Sequence, residues 1–152
     1  MDQNNTKVEH KKTAKSYSWK VVLVFMIMLT VVILAKVYGK GRVTTHRVKG
    51  AIAVYLLFGI TWSLLYGLLD QTLPNAFSLP ISDDIFSPER QGTLSYFSFV
   101  TLTTLGYGDI VPTHEISRMF VVMEGLIGQL YPATLLARLV SLQLMHQDDA
   151  QG

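Results

Sequence analysis

The stretch Thr101-Leu102-Thr103-Thr104-Leu105-Gly106-Tyr107-Gly108-Asp109 decides how the chain is interpreted. It lies between two long apolar segments and is too polar and too rich in glycine to be another membrane-spanning helix. Gly106 and Gly108 alternate with larger residues, and glycine adopts left-handed backbone angles at no steric cost. We therefore predict that successive carbonyl groups of residues 104–108 point toward one axis. The alternative is a glycine patch for close packing between helices, which the flanking apolar segments disfavour.

The composition is that of a membrane protein. Of the 152 residues, 49% are apolar and 16% are charged, whereas soluble domains carry roughly 25% charged residues. The absence of cysteine excludes disulfides, thiolate metal sites and thiol catalysis. The four histidines are scattered over tails and loops without metal-ligand spacing. We therefore predict that the protein is not an enzyme and has neither a cofactor nor a nucleic-acid partner.

The N-terminal third contains one apolar segment between two basic ones. Residues 1–18 are polar and basic and predict a tail. Residues 19–38 carry Lys20 and Lys36 just inside their ends, which leaves about 22 Å of helix between the lysines against a membrane core of about 30 Å. We predict a peripheral transmembrane helix whose lysines reach the membrane surface; a helix lying along the interface is the alternative. Residues 39–49 predict a basic linker on the cytoplasmic side.

A second apolar segment follows the linker. Residues 50–69 are uncharged over the length that one membrane span needs. Within them Gly59, Ser63 and Gly67 recur every four residues, a small-residue patch that indicates close contact with another helix. Residues 70–91 are rich in proline, serine and acid, opposite in charge to the linker. They predict an extracellular loop.

The next helix is too short to cross a membrane. Ser87 and Pro88 are residue types that begin helices, and we place the helix itself over residues 92–103. A helix that enters the membrane and stops would direct its carbonyl end, with its partial negative charge, toward the membrane centre, where it favours a cation. Residues 116–144 predict a second long helix, and residues 145–152 a polar tail.

The opening stretch resembles the signature of potassium channels, Thr-x-Gly-Tyr-Gly followed by Asp, with Leu105 at the variable place. The resemblance covers residues 50–144, and the whole chain is similar to small bacterial potassium-channel-like membrane proteins. It implies an all-α membrane protein with the pore of a tetrameric cation channel: span, re-entrant helix and filter, span, preceded by one extra apolar helix. It further implies a homotetramer that conducts K+ passively across the bacterial inner membrane, which is the plasma membrane of the cell.

The resemblance also implies a role for individual residues. We call residues 104–108 the filter; the carbonyls expected to hold K+ are those of Thr104, Leu105, Gly106 and Tyr107, with the Thr104 hydroxyl, and Gly108 completes the segment. Asp109 occupies the acidic position at the outer mouth, where it raises the local cation concentration. Gly128 falls at the place of the family's inner-helix hinge. The residues expected to face the inner cavity and gate are Gln129, Pro132, Leu136 and Val140.

Two positions behind the filter depart from the family. Val100 stands where several members carry a glutamate paired with the mouth aspartate. Glu124 is an acid within the second long helix, where insertion at the membrane centre costs roughly 2.5–3.5 kcal/mol. We predict that Glu124 supports the filter from behind; a packing hydrogen bond with no influence on conduction is the alternative. The hydroxyl groups considered as its partners are those of Ser98, Thr101 and Thr103, and Tyr96 and Thr103 are assigned to the same filter support.

Several functions remain to be distinguished. The first apolar segment lacks an arginine at every third residue, so a voltage sensor of the usual type is not predicted, nor is a ligand-binding domain. A weakly selective cation channel is the first alternative, and Tyr107 argues against it. A non-conducting subunit that modulates a related channel is the second, and the intact filter motif argues against it. The basic tail and linker are also suited to contact anionic membrane lipids.

Overall fold

The structure is a computed structural model that describes residues 20–36, 45–79 and 87–148, with backbone only at residues 45–47, 139 and 142–148. In chain order the elements are α1 (residues 20–36), α2 (Thr45–Thr72), β1 (Phe77–Ser78), α3 (Pro88–Leu102), β2 (Val111–Pro112) and α4 (Glu115–Asp148). Helices dominate the described residues, which confirms the predicted all-α class. The predicted N-terminal tail, residues 39–44 of the linker, residues 80–86 of the loop and residues 149–152 lie outside the described residues.

Two of the described helices are long and apolar enough to cross a membrane. These are the segments Val48–Thr72 of α2, with 25 residues, and Glu115–Arg138 of α4, with 24 residues. α1 is shorter. Between its terminal lysines, Lys20 and Lys36, the exposed large side chains are apolar: Val21, Val22, Val24, Phe25, Ile27, Met28, Val31 and Val32. Such a surface has the character of one that faces lipid. That α1 spans the membrane remains a prediction.

α2 and α4 begin earlier and end later than the sequence patterns indicated. α2 starts at Thr45 instead of residue 50, so that the end of the predicted linker is helical, and it ends at Thr72 instead of residue 69. α4 runs over Glu115–Asp148 instead of 116–144. The predictions followed uncharged residues, but a helix continues through polar residues at the membrane surface because its backbone groups keep their partners while the side chains reach water.

α3 begins at Pro88, one turn before the predicted start at residue 92. The Ser87 side chain accepts a hydrogen bond from the backbone N–H of Arg90 at 3.2 Å, which caps the first turn. Pro88 has no N–H that would need a partner at this position. The residue types that mark a helix start therefore located it better than the apolar pattern did.

α2 and α3 pack closely through the small-residue patch. A Cβ at Gly59 would lie 2.5 Å from the ring of Phe99, so only glycine admits that ring. Ser63 Oγ lies 2.7 Å from Ser95 Oγ and accepts a hydrogen bond from Gln91 Nε2 at 2.8 Å. The close helix contact that the patch indicated is therefore present, and its partner is α3.

A two-stranded antiparallel sheet joins the end of the α2 region to the segment that leaves the filter. β1 and β2 pair with Phe77 opposite Pro112. The backbone N–H of Thr113 donates to the Ala76 carbonyl at 3.1 Å, and the Thr113 hydroxyl donates to the Asn75 carbonyl. No strand was predicted from the sequence. The sheet holds the segment that follows residues 104–108 against the segment that follows α2.

A buried ion pair fixes the first turn of α3 to the last turns of α2. Arg90 Nε donates to Asp70 Oδ2 at 2.5 Å and Nη2 donates to Oδ1 at 3.0 Å, a two-point contact. The side chains are 13% and 4% exposed. The sequence pattern placed Asp70 in the loop. Its pairing was not predicted, because Arg90 lies twenty residues away and no local pattern indicates the contact.

Replacing one member of this ion pair should destabilise the protein more than replacing both. Asp70→Asn and Arg90→Gln each leave one charge buried without its partner, and we expect each to lower the free energy of unfolding by about 3 kcal/mol. The double variant leaves no charge and should be closer to the parent than the sum of the two. Thermal unfolding in detergent, followed by circular dichroism, measures the three values. Additive effects in the double variant would show that the two side chains do not act as a pair.

Candidate functional site: the filter segment and the helices behind it

The filter has an alternating backbone. Thr104, Gly106 and Gly108 have positive φ angles of 62°, 55° and 79°. In the described chain the residues between them, Leu105 and Tyr107, do not. Alternation of left- and right-handed residues directs successive carbonyl groups to the same side. The left-handed angles of the two glycines agree with the prediction. The left-handed angle of Thr104 was not predicted, because β-branched residues rarely adopt positive φ angles.

The backbone N–H groups at the start of the filter donate hydrogen bonds, whereas its carbonyl groups accept none within the described residues. Thr104 N–H donates to the Thr101 carbonyl at 2.9 Å, and Leu105 and Gly106 N–H donate to the Val100 carbonyl at 2.9 and 3.4 Å. Within the described part of the chain, no hydrogen bond ends on a carbonyl of residues 104–108. Unpaired carbonyl oxygens on one side of an extended segment are ligands for a cation without its hydration shell.

The outer end of the filter carries the acid that was expected there. Asp109 is exposed in the single chain, and its Oδ1 accepts a hydrogen bond from the N–H of Ile110 at 3.1 Å. A side-chain hydrogen bond with Asp109 raises the pKa of Tyr96, which lies on the non-spanning helix α3. The structure thus places Tyr96 beside Asp109, the residue that follows the filter.

Glu124 is fully buried at the meeting point of the three helices α2, α3 and α4. Its Oε1 lies 2.5 Å from the hydroxyl of Ser98, and its Oε2 accepts a hydrogen bond from the hydroxyl of Tyr66. Of the hydroxyl groups considered from the sequence, Ser98 reaches the carboxyl group, whereas the Thr103 hydroxyl donates to the Phe99 carbonyl at 2.6 Å. Tyr66 was missed. A tyrosine inside an apolar span is the signal for it, because a buried phenol requires a partner.

Gly128 provides a close contact between α4 and the end of α3. A Cβ at this position would lie 2.0 Å from the carbonyl oxygen of Leu102. The same oxygen accepts a hydrogen bond from the Tyr55 hydroxyl at 2.9 Å, so it is held from two sides. α4 is continuous through Gly128, the position of the predicted hinge, and through Pro132. Proline at 132 removes the hydrogen bond to the carbonyl of residue 128, which weakens this turn without ending the helix.

The residues expected at the inner cavity lie on an open surface of α4. Gln129, Pro132, Leu136 and Val140 are all exposed in the single chain. An open groove of about 450 Å³ separates the filter from α4, with Thr104, Gly106 and Gly108 on one side and Val122, Gly125 and Gln129 on the other. The structure thus brings Gln129 beside the filter, at one end of the predicted cavity surface.

Comparison with known proteins agrees with this geometry. Residues 83–143, which include α3, the filter and most of α4, match a family model described as ion channel. A protein of Rhodopseudomonas palustris named as a potassium channel protein is 34% identical over 84 residues, 51% of this chain and 20% of its own length. These matches support a potassium channel pore family for this part of the chain. The resemblance stated from the sequence is confirmed at the level of the family.

Other relatives are potassium channels of larger size. A two-pore potassium channel of Arabidopsis thaliana is 34% identical over 100 residues, 65% of this chain and 30% of its own length. A human voltage-gated delayed rectifier potassium channel is 36% identical over 47 residues, 31% of this chain and 5% of its own length. The matches therefore cover less than a third of each of these relatives. No solved structure matches the chain significantly.

The sequence indicated the filter and the support from Glu124, but not every partner of Glu124. The filter residues and Asp109 form a local motif, whereas the side chains behind the filter are brought together by tertiary contacts. Glu124 and Ser98 lie 26 positions apart, and Glu124 and Tyr66 lie 58 apart. Ser98 was among the hydroxyl groups considered from the sequence, whereas the pairing of Glu124 with Tyr66 was not predicted.

Proposed function

We propose that the chain is a subunit of a potassium-selective channel that conducts K+ passively across the plasma membrane as a homotetramer. The observation that carries the proposal is the filter backbone, in which alternating positive φ angles accompany carbonyl groups without hydrogen-bond partners in the described chain. The carbonyls of Thr104, Leu105, Gly106 and Tyr107, with the Thr104 hydroxyl, act as the K+ ligands. They take the place of the water lost by the ion.

Large side chains that are exposed in the single chain support the proposed assembly. Tyr107 is 67% and Leu105 59% exposed, although both are large and apolar in part. Large apolar side chains are also exposed along α4, namely Met119, Val122, Met123, Leu126 and Leu130. One extended segment cannot surround an ion, but four copies around an axis can. Neighbouring copies would then cover the filter side chains, while lipid covers the outward faces.

The remaining residues take supporting roles in this proposal. Asp109 concentrates cations at the outer mouth, with Tyr96 beside it. Thr103, directly before the filter, and Glu124 support the filter from behind. Gly128 and Pro132 form the weak turn of the inner helix, and the inner cavity and gate are lined by Gln129, Leu136 and Val140. Transport needs neither a cofactor nor bond chemistry in this scheme, and K+ is the permeant ion.

Ion flux from liposomes tests the proposal. Purified protein should release K+ down its gradient and should pass K+ in preference to Na+ by reversal potential. Equal permeability to the two ions would instead indicate a weakly selective cation channel. No flux from correctly assembled protein would indicate a non-conducting subunit that modulates a related channel.

Tyr107→Asp should abolish the preference for K+. Tyr107 lies between the two left-handed glycines of the filter, and a charged, shorter side chain removes the bulk that holds the filter at one diameter. We expect the permeability ratio of K+ to Na+ to fall to about one, since the carbonyl ligands lose their fixed spacing. Leu105→Val, at the variable position of the motif, is the matched control and should retain selectivity. A selective Tyr107→Asp variant would contradict the proposed role.

A further inference from the structure

The most unusual polar feature behind the filter is the set of contacts around Glu124. The Ser98 hydroxyl oxygen lies 2.5 Å from Glu124 Oε1 and 2.8 Å from the carbonyl oxygen of Gly59. The Tyr66 hydroxyl contacts Glu124 Oε2. Glu124, Ser98 and Tyr66 are all 0% exposed, so water does not complete these contacts.

The number of hydrogen atoms decides the state of the carboxyl group. Three oxygen–oxygen contacts need three hydrogens, but the hydroxyl groups of Ser98 and Tyr66 supply one each. If Glu124 is ionised, the single hydroxyl hydrogen of Ser98 can bond either to the Gly59 carbonyl or to Glu124. In the contact that lacks this hydrogen, two oxygen atoms that can only accept then face each other. A proton on Glu124 Oε1 supplies the third hydrogen, and every contact is then a normal hydrogen bond.

The surroundings favour the same state. The groups that act on the carboxyl are Ser98 from α3 and Tyr66 from α2, together with burial. Among the described residues, no lysine, arginine or histidine contacts Glu124; the buried arginine of α3, Arg90, is paired with Asp70. An ionised carboxylate in an apolar interior without a cation is strongly disfavoured, whereas a neutral acid with both oxygens hydrogen-bonded is not.

We infer that Glu124 is a neutral carboxylic acid that positions the filter by donating a hydrogen bond to the Ser98 hydroxyl oxygen. The hydrogen bonds then run in one direction, from Tyr66 to Glu124, from Glu124 to Ser98, and from Ser98 to the Gly59 carbonyl. This series of hydrogen bonds joins α2, α3 and α4 within one subunit. Glu124 is a positioning residue, since it acts on the ion path through α3.

The route from Glu124 to the filter is short. Ser98 lies half a turn before Val100, whose carbonyl accepts the N–H groups of Leu105 and Gly106. It lies one turn before Leu102, whose carbonyl is held by Tyr55 and packed against Gly128. A displacement of Ser98 therefore moves the Val100 carbonyl, on which the start of the filter rests, and the Leu102 carbonyl, at which α3 meets α4. The functional part of this inference depends on the proposed channel activity, whereas the protonation state does not.

Infrared spectroscopy of the protein in liposomes at neutral pH tests the protonation state. The difference between the parent and Glu124→Gln should contain a carboxylic acid C=O band, because the other acids whose side chains the structure describes are exposed or ion-paired. Tyr66→Phe removes the hydrogen bond to the carbonyl oxygen of that group and should shift the band to higher frequency. This second variant assigns the band even if Glu124→Gln does not assemble. A parent spectrum without a carboxylic acid band would overturn the inference.

Two variants of equal size test the positioning role in the same liposomes. Glu124→Gln keeps a donor for Ser98 and an acceptor for Tyr66, and we expect it to keep the parent's K+ flux and selectivity. Glu124→Met fills the same volume without either hydrogen bond, and we expect assembled protein with lost or unstable K+ selectivity. Assembled Glu124→Met that conducts like the parent would refute the positioning role. A parent without any flux would refute the proposed function, while the infrared result would still decide the state of Glu124.

Discussion

Gly128→Ala should prevent assembly of a stable, conducting protein. The added Cβ would lie 2.0 Å from the Leu102 carbonyl oxygen, and the other atoms within reach also belong to the backbone of Leu102. Contacts this short do not persist, and the carbonyl cannot turn aside because the Tyr55 hydroxyl holds it at 2.9 Å. α3 and α4 must separate, at a cost of at least about 1–3 kcal/mol per subunit as in other overpacked cores. Because α3 carries the filter, conduction should be lost together with stability.

Gly125→Ala is the matched control for this prediction. Gly125 lies in the same helix, one turn before Gly128, and a Cβ there meets nothing within 4 Å. Alanine is the better helix former by roughly 0.5–1 kcal/mol, so the thermal stability of Gly125→Ala should equal or exceed that of the parent. The comparison is made by thermal unfolding and by size-exclusion chromatography in detergent.

The same pair of variants separates two roles for Gly128. If Gly128 serves only as a hinge of the inner helix, Gly128→Ala assembles normally and changes the opening of the channel. If it serves as the contact site for α3, assembly and stability are lost first. The structure favours the contact role, since the glycine is buried against a carbonyl group and the helix is continuous there.

Gly106→Ala should abolish K+-selective flux while leaving the helices folded. Gly106 has a φ of 55°, and a Cβ there meets no atom within 4 Å in the single chain, so the cost comes from the backbone. A left-handed angle costs an L-residue roughly 1–2 kcal/mol, and in the proposed tetramer it would be required in each of the four subunits at one level of the filter. We expect the backbone to relax toward a right-handed angle, which turns carbonyl groups away from the ion path.

Gly92→Ala is the control for the filter variant. Gly92 lies in α3, has no positive φ, and has open space where its Cβ would be. It should therefore keep both flux and selectivity, with helix content unchanged by circular dichroism. Parental K+ flux from Gly106→Ala would show that the left-handed backbone at this position is not needed for conduction.

The two glycines illustrate how differently one residue type is used in this protein. Gly106 is needed for the angle of its own backbone, whereas Gly128 is needed for the space that it leaves to another helix. Gly106 can be recognised from a local motif, because alternating glycines in a short polar stretch between apolar segments indicate left-handed backbone angles. The role of Gly128 cannot be read locally, because it depends on which carbonyl group of α3 reaches that point.

The amino-acid sequence by itself determined the class of the protein, the order of its apolar helices and the position of the segment with left-handed glycines. Those properties are local: apolar runs of spanning length, a serine–proline helix start at Ser87, and glycines at alternate positions. The tertiary structure alone decided the Asp70–Arg90 ion pair, the short sheet after the filter and the contact of Glu124 with Tyr66, and it selected Ser98 among the candidate partners of Glu124. These partners lie 20 to 58 positions apart along the chain. Many pairings of such residues satisfy the same composition, and only the packing of the helices against one another selects which buried polar groups meet.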